Sequence, residues 1–296
     1  MNTTRKKIYL VTAFDEKYLA KSIPYLETMN KNSNLSNNIV LTLDFEISPD
    51  HRKRFHNIEF IKISSEKIKS PNSNRCIQHG GFLEALIELD EDCIIIFTDS
   101  DINIQRGFTE AEQEMLASFE AGQVGVNYNC TAMYSLLDET RLLQPKVTTD
   151  ELMRRYPGCD KLTVFNTGVM VAKKETYRKL YELYNSHWET FKGLFGHYAK
   201  QQWLLSYLIQ TQFKARVLPY TIHSHGCKHP IGLRVDESVA HYKFCIGPDV
   251  VVFNHKIIHP IYGEIKAKRR VIKRLVIALI ILGGICVCLA VVLLLK

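Results

Sequence analysis

The sequence predicts a three-layer α/β/α domain on a mixed, mainly parallel sheet, with one membrane-spanning helix at its C-terminal end. Three observations carry this. Strand-like and helix-like runs alternate along the chain from Lys7 to Asn254. The run Cys93–Thr98 (CIIIFT) is continuously apolar, as expected of a central parallel strand covered on both faces. Leu275–Leu295 is 21 consecutive uncharged, mostly aliphatic residues, enough for a helix to cross a hydrocarbon core of about 30 Å.

In order, Lys7–Phe14 (KIYLVTAF) is rich in β-branched and aromatic residues and reads as a first strand, followed by a helix over Glu16–Met29 and a polar turn over Asn30–Asn38. Strands over Ile39–Phe45 and Glu59–Ile63 come next, then a polar loop over Ser64–Asn74 and an apolar-periodic helix from about Cys76 to Leu89. After the Cys93–Thr98 strand, the pattern predicts a helix over Ala111–Ala121, a strand over Gln123–Tyr128, strand structure over Leu162–Ala172, and helices over Glu175–Phe191 and Tyr198–Gln210. A His-rich loop precedes a last strand, Val250–Asn254. No repeat of 20 to 50 residues is visible. One α/β domain, Rossmann-like in its first half, therefore spans residues 1–262. A basic juxtamembrane linker (263–274) and the membrane helix (275–295) follow.

The composition, 46% hydrophobic and 23% charged over 296 residues, is that of a globular chain with a real core. The net charge of +7 comes from the tail: residues 266–296 hold seven Lys/Arg and no Asp/Glu, so residues 1–265 sum to zero. Nothing here asks for a nucleic-acid partner. Lys266, Lys268, Arg269, Arg270, Lys273 and Arg274 flank the apolar stretch, and the positive-inside rule puts them, and hence the domain, on the cytoplasmic side. The apolar run near Met1 is too short for a signal peptide and lacks a cleavage site, so the expected anchor is C-terminal. Cys286 and Cys288 lie in the membrane stretch. The other six cysteines show no C-x-x-C pairing and read as reduced cytosolic thiols.

The strongest chemical signal is Asp99-Ser100-Asp101 at the end of the Cys93–Thr98 strand. Open α/β sheets bind ligands at the carboxyl ends of their strands, and side chains at i and i+2 share one face, which turns Ser100 the other way. Two hard oxygen donors so placed suit Mn²⁺ or Mg²⁺, an ion that bridges diphosphate oxygens and steadies the charge on a departing nucleoside diphosphate. A solvated turn is the alternative, since Asp and Ser are common turn residues. Three further segments keep company with it: VFNTGVMV (Val164–Val171), KQQWLLSYL (Lys200–Leu208) and VVFNHKIIHP (Val251–Pro260).

In these segments the chain resembles the glycosyltransferases of the GT-A fold, nearest to glycosyltransferase family 8. The family's D-x-D motif follows just such a strand, and VFNTGV is similar to its F-N-[ST/A]-G-V motif. By that resemblance Asn166 contacts the sugar, Gly168 lets backbone approach the acceptor side, and Thr167 shares the motif. KQQWLLSYL is similar to the family's D-Q-x-x-L-N helix through Gln202 and Leu205, but Gln201 stands where the family has Asp and Ser206 where it has Asn. The third metal ligand of the family is a His after a late strand, the place of His255, with His259 the fallback. Thr12, Ala13, Phe14 and Asp15 end the first strand, where the family holds the nucleotide's base and ribose. The family's helix Arg before the D-x-D strand is missing from Gly80–Leu89, which leaves Arg75 as the nearest candidate.

The resemblance implies a metal-dependent hexosyltransferase using a nucleotide sugar, UDP-linked for preference. Asp99 would meet ribose and metal, Asp101 and His255 the metal, and Thr12, Ala13, Phe14, Asp15, Arg75, Asp99, Ser100, Asn166, Thr167 and Gly168 the donor. Asp101 and Gln202 carry the catalytic roles, with Gln202 beneath the anomeric carbon if configuration is retained. An inverting enzyme would instead take its base from Asp236, Glu237 or Asp249. Mn²⁺ (or Mg²⁺) is the expected cofactor, and the anchor points to a membrane-associated glycan, lipid or protein acceptor. The loop His223–His229 with Lys228, and Arg234 and Lys243 beyond it, reads either as a cover for the diphosphate or as a zinc site, although its spacing matches no standard finger. A nucleotidyltransferase making the nucleotide sugar is disfavoured because FDEKYLAKS is not Gly-rich. A tail-anchored, inactive nucleotide-sugar-binding protein is the remaining alternative.

Overall fold

The computed structural model describes residues 6–64, 89, 92–128, 135–143, 147–196, 199–219, 221–224 and 252–254, with residues 141–143, 224 and 252–254 described through their backbone alone. The strands are β1 (Lys7–Asp15), β2 (Asn37–Leu43), β3 (Glu59–Ile63), β4 (Cys93–Thr98), β5 (Ile102–Ile104), β6 (Gln123–Tyr128), β7 (Phe165–Lys173), β8 (Lys214–Val217), β9 (His223–Ser224) and β10 (Val252–Asn254). The helices are α1 (Glu16–Asn32), α2 (Pro49–Arg54), α3 (Glu110–Ala117), α4 (Leu136–Leu143), α5 (Thr149–Arg155), α6 (Lys174–Phe195) and α7 (Gln201–Gln212).

Seven strands form one sheet in the order β3-β2-β1-β4-β7-β6-β8, and β5-β10-β9 form a second, small one. Within the large sheet β7 runs antiparallel to both neighbours, β4 and β6, and every other adjacent pair is parallel. The reversal has a functional result. The carboxyl ends of β1, β2 and β4 and the amino-terminal start of β7 meet on one edge, so Asp15, Asp99 and Asn166 gather there although they are far apart in sequence.

Alternation along β4 shows why its apolar run is continuous. Cys93, Ile95 and Phe97 enter a core with Tyr177, Tyr181 and Trp188 of α6 and Trp203 of α7. Ile94 and Ile96 enter the opposite core with Tyr25, Leu26 and Met29 of α1. Both faces are covered, which is the expected three-layer α/β/α arrangement. On α6 the stripe Tyr177, Tyr181, Tyr184, Trp188, Phe191 and Phe195 repeats every three or four residues, places one aromatic face against the sheet, and is buried throughout.

The expected elements that fall on described residues are present with small shifts: α1 runs on to Asn32, β2 starts at Asn37, and α6 extends to Phe195. The strands β5, β8 and β9 and the helices α2, α4 and α5 were not expected; all are two to eight residues long. The expected helix before Leu89, Arg75, His255, His259, the loop beyond Ser224, Asp236, Glu237, Asp249, the basic linker 263–274 and the apolar stretch 275–295 lie outside the described residues. Among the described residues no helix is long and apolar enough to cross a membrane.

Candidate active site

Strand β4 ends at Thr98, and Asp99 follows with its backbone N–H donated to the Gly168 carbonyl at 2.8 Å. The ladder continues as Thr98 opposite Val169, so Asp99 lies directly against the N-T-G segment. A Cβ on residue 168 would fall 2.9 Å from Asp99 Oδ2, closer than real side chains approach, and 3.1 Å from Asn166 Oδ1, a tight contact. Gly168 is inside a continuous strand and not among the glycines with positive φ. Its role is therefore close approach to a carboxylate, not a turn. Asn166 is buried, and its Oδ1 accepts the Gly168 N–H at 2.9 Å, which fixes the side chain at the strand's start.

Below Asp99 the strand end is tied by hydroxyls. Thr12 Oγ1 donates to the Thr98 carbonyl at 2.8 Å, and Tyr25 Oη and Thr98 Oγ1 are 2.5 Å apart. Tyr25 and Tyr181 approach from the two opposite cores. Burial pushes both phenols well above their ordinary range, and the Asp99 carboxylate pushes them further, against the opposing Thr98 bond at Tyr25. Both stay neutral, so the site's fixed charge rests on the carboxylates.

Helix α7 carries Gln202 and is fastened to the start of β7. The Phe165 N–H donates to Ser206 Oγ at 2.9 Å, while Ser206 Oγ donates to the Gln202 carbonyl at 2.6 Å. One turn on, Gln210 accepts from the Thr163 N–H at 3.1 Å and donates to the Thr163 carbonyl at 2.8 Å. Side chains of α7 thus act as a neighbouring strand for residues 163–165. Gln202, partly exposed, is thus linked through its backbone carbonyl and Ser206 to Phe165, the residue before Asn166.

At the end of β1, Thr12, Ala13 and Phe14 are buried, with Phe14 against Phe45 at a ring separation of 6.2 Å. Their side chains serve the core, leaving backbone to face the edge. Asp15 caps α1 by accepting the Tyr18 N–H at 3.1 Å. Tyr18 was not singled out from sequence. It is 40% exposed, one of two large apolar side chains so exposed among the described residues, with Lys21 Nζ 4.9 Å from its ring centre. No signal in the sequence marks it, because Tyr18 stands at the spacing of the buried Ser22, Tyr25 and Met29 on the same helix.

Beyond Asp99, Ser100 is buried and Asp101 partly exposed. Strand β5 follows at once, and antiparallel pairing sets Asn254 of β10 opposite Ile102. Asn254, the last described residue of β10, is thus set opposite the residue that follows Asp101. His223 is buried at β9, paired to Val252, with its carbonyl accepting Asn127 Nδ2 at 2.8 Å. Among the described residues no three His, Cys, Asp or Glu side chains form a metal cluster. The two described carboxylates nevertheless fit a hard divalent ion: both are partly exposed oxygen donors, and Gly168 keeps the space beside Asp99 Oδ2 clear. Cys93 and Cys159 are free, buried thiols, and burial, aided by the Asp160 charge, pushes Cys159 up to about 11.

No protein-family model matches this sequence, and no curated protein matches it. Solved structures do match. The apo form of mouse xyloside xylosyltransferase 1 aligns with a TM-score of 0.51 over 86% of this chain and 99% of its own, at 18% identity. The galactosyltransferase LgtC, solved with donor and acceptor sugar analogues, aligns with a TM-score of 0.52 over 86% and 87%, at 13% identity. The apo bifunctional glycosyltransferase WbbM aligns with a TM-score of 0.52 over 86% of this chain and 46% of its own, at 11% identity. The chain has the fold of GT-A-like glycosyltransferases.

Proposed function

We propose that this chain is a metal-dependent glycosyltransferase that takes a hexose from a nucleotide sugar, UDP-linked for preference. The observation that carries the reading is the Asp99–Gly168 contact: a strand-end carboxylate, one residue from a second, is packed so close to the residue 168 backbone that a side chain there would displace it. A solvated turn needs no such neighbour. The glycosyltransferase-like fold places that contact at the carboxyl edge of the sheet, where open α/β sheets take ligands.

In this reading Asp99 and Asp101 hold Mn²⁺ or Mg²⁺ together with His255. When bound, the ion neutralises charge on the departing diphosphate. Asp15 and the exposed Tyr18 ring receive the nucleoside end, the ring face suiting a planar base. Arg75 is the candidate diphosphate contact. The Asn166 amide, pinned by the Gly168 N–H, and Gln202, on the helix that Ser206 fastens to Phe165, flank the transferred sugar. Gln202 then faces the anomeric carbon, and the configuration is retained.

The test is release of free nucleotide from a panel of nucleotide sugars with Mn²⁺, followed by transfer to membrane glycans and lipids. One donor should be cleaved, in a Mn²⁺-dependent way that Asp101→Ala abolishes. Proton NMR of the transfer product should show the donor's anomeric configuration; the opposite anomer would remove Gln202 from its role and call for a carboxylate base.

A further inference from the structure

Strand β5 is the segment that continues from Asp101, and within its small sheet it is an edge strand: β10 pairs one side of it. Its other side meets α1, and the contact is polar. The Ile104 N–H donates to Thr28 Oγ1 at 3.1 Å, and the Ile104 carbonyl accepts Asn32 Nδ2 at 2.6 Å. Thr28 Oγ1 also donates to the Tyr25 carbonyl at 3.0 Å, so its acceptor lone pair is aimed by its own helix. Farther along, Asn34 takes both backbone groups of Phe108, accepting from its N–H at 2.8 Å and donating to its carbonyl at 2.8 Å. The end of α1 and the residues just beyond it thus serve as a substitute strand for residues 104–108.

Nothing in helix formation asks for Thr at 28 or Asn at 32; both are poorer helix formers than Ala or Leu. Their use lies in the edge they satisfy. The same helix begins at Asp15 and Tyr18, on the nucleotide side of the site. We infer that Thr28 and Asn32 are positioning residues for the metal site: by gripping Ile104 they fix β5, and with it the direction in which Asp101 leaves β4 and the register of β10. The inference rests on the metal-binding reading of Asp99 and Asp101. It makes α1 a rigid link between the base-binding end and the second carboxylate.

The test uses the full chain with Thr28→Val, Asn32→Asp and Thr28→Ser. Valine keeps the shape and removes the acceptor; aspartate keeps the shape and removes the donor; serine keeps the hydroxyl. Mn²⁺ binding by calorimetry should weaken several-fold in Thr28→Val and Asn32→Asp and stay as in the parent in Thr28→Ser. UDP binding without metal should be unchanged in all three. Amide hydrogen exchange at Ile104 should speed up in Thr28→Val with or without Mn²⁺. Parent-like Mn²⁺ binding in both disabling variants would overturn the inference. So would parallel loss of Mn²⁺ and UDP binding with a lowered Tm, which marks a merely structural role. A parent chain that binds UDP but no divalent ion would overturn the metal reading itself, and the inference with it.

Discussion

A Cβ placed on residue 168 would meet Asp99 Oδ2 at 2.9 Å and Asn166 Oδ1 at 3.1 Å, and the carboxylate, the nearer of the two, must yield first. Gly168→Ala should therefore turn Asp99 aside without dismantling the strand. Misplacing a positioned group by such an amount costs about 10- to 100-fold in rate. Mn²⁺-dependent nucleotide-sugar hydrolysis should fall on that scale while Tm moves by only a few degrees; full activity in the alanine variant would show that the contact is packing alone. The tripeptide Asp99-Ser100-Asp101 and the residues Asn166 and Gly168 were legible in sequence as types in an expected order. The reason for the glycine was not, because an N-T-G turn between two strands would also account for Gly168, though less well for its apolar flanks, and the strand pairing of Thr98 with Val169 shows that it is not one. Tyr18 was missed for the opposite reason: a lone aromatic on a helix is ordinarily core, and its exposure cannot be read from the chain.

Helix α7 and strand β7 behave as one element. Ser206 accepts the buried Phe165 N–H and Gln210 closes on both backbone groups of Thr163, so polar side chains finish a sheet edge where no strand is available. Ser206→Ala leaves that N–H without its acceptor, at a cost of about 1–3 kcal/mol. Denaturant unfolding should show the loss, and activity should fall further than stability explains because Gln202 loses its tether. An unchanged midpoint would mean that another group takes over the N–H. Long periodic elements such as α6 and the continuous apolar β4 were legible because burial on one stripe or on both faces dictates composition. The strands β5 and β9 were not, since two or three residues carry no period and their pairing comes from distant parts of the chain. Ser206 was legible only as a departure from the expected Asn; its bond to Phe165 needs the fold.

At the scale of the molecule, the order β3-β2-β1-β4-β7-β6-β8, with β7 alone reversed, brings Asp15, Asp99 and Asn166 to one edge. Alternation of strands and helices foretold the layers, but the antiparallel β7 has no local signature and emerges only from the pairing. Residues 1–265 are electrically neutral and residues 266–296 hold the net charge of +7. Tethering by Leu275–Leu295 would keep the site near a membrane surface and raise the effective concentration of a membrane-bound acceptor. The full chain should stay with the membrane pellet after alkaline carbonate extraction; its appearance in the supernatant would remove the anchor from the account. The most direct test of the whole remains donor cleavage: purified full chain incubated with a panel of nucleotide sugars and Mn²⁺, beside Asp101→Ala. One nucleotide sugar should release its nucleotide, a chelator should stop the release, and the variant should be inactive. Equal release by the variant, or cleavage that persists with the metal stripped away, would contradict the proposed function.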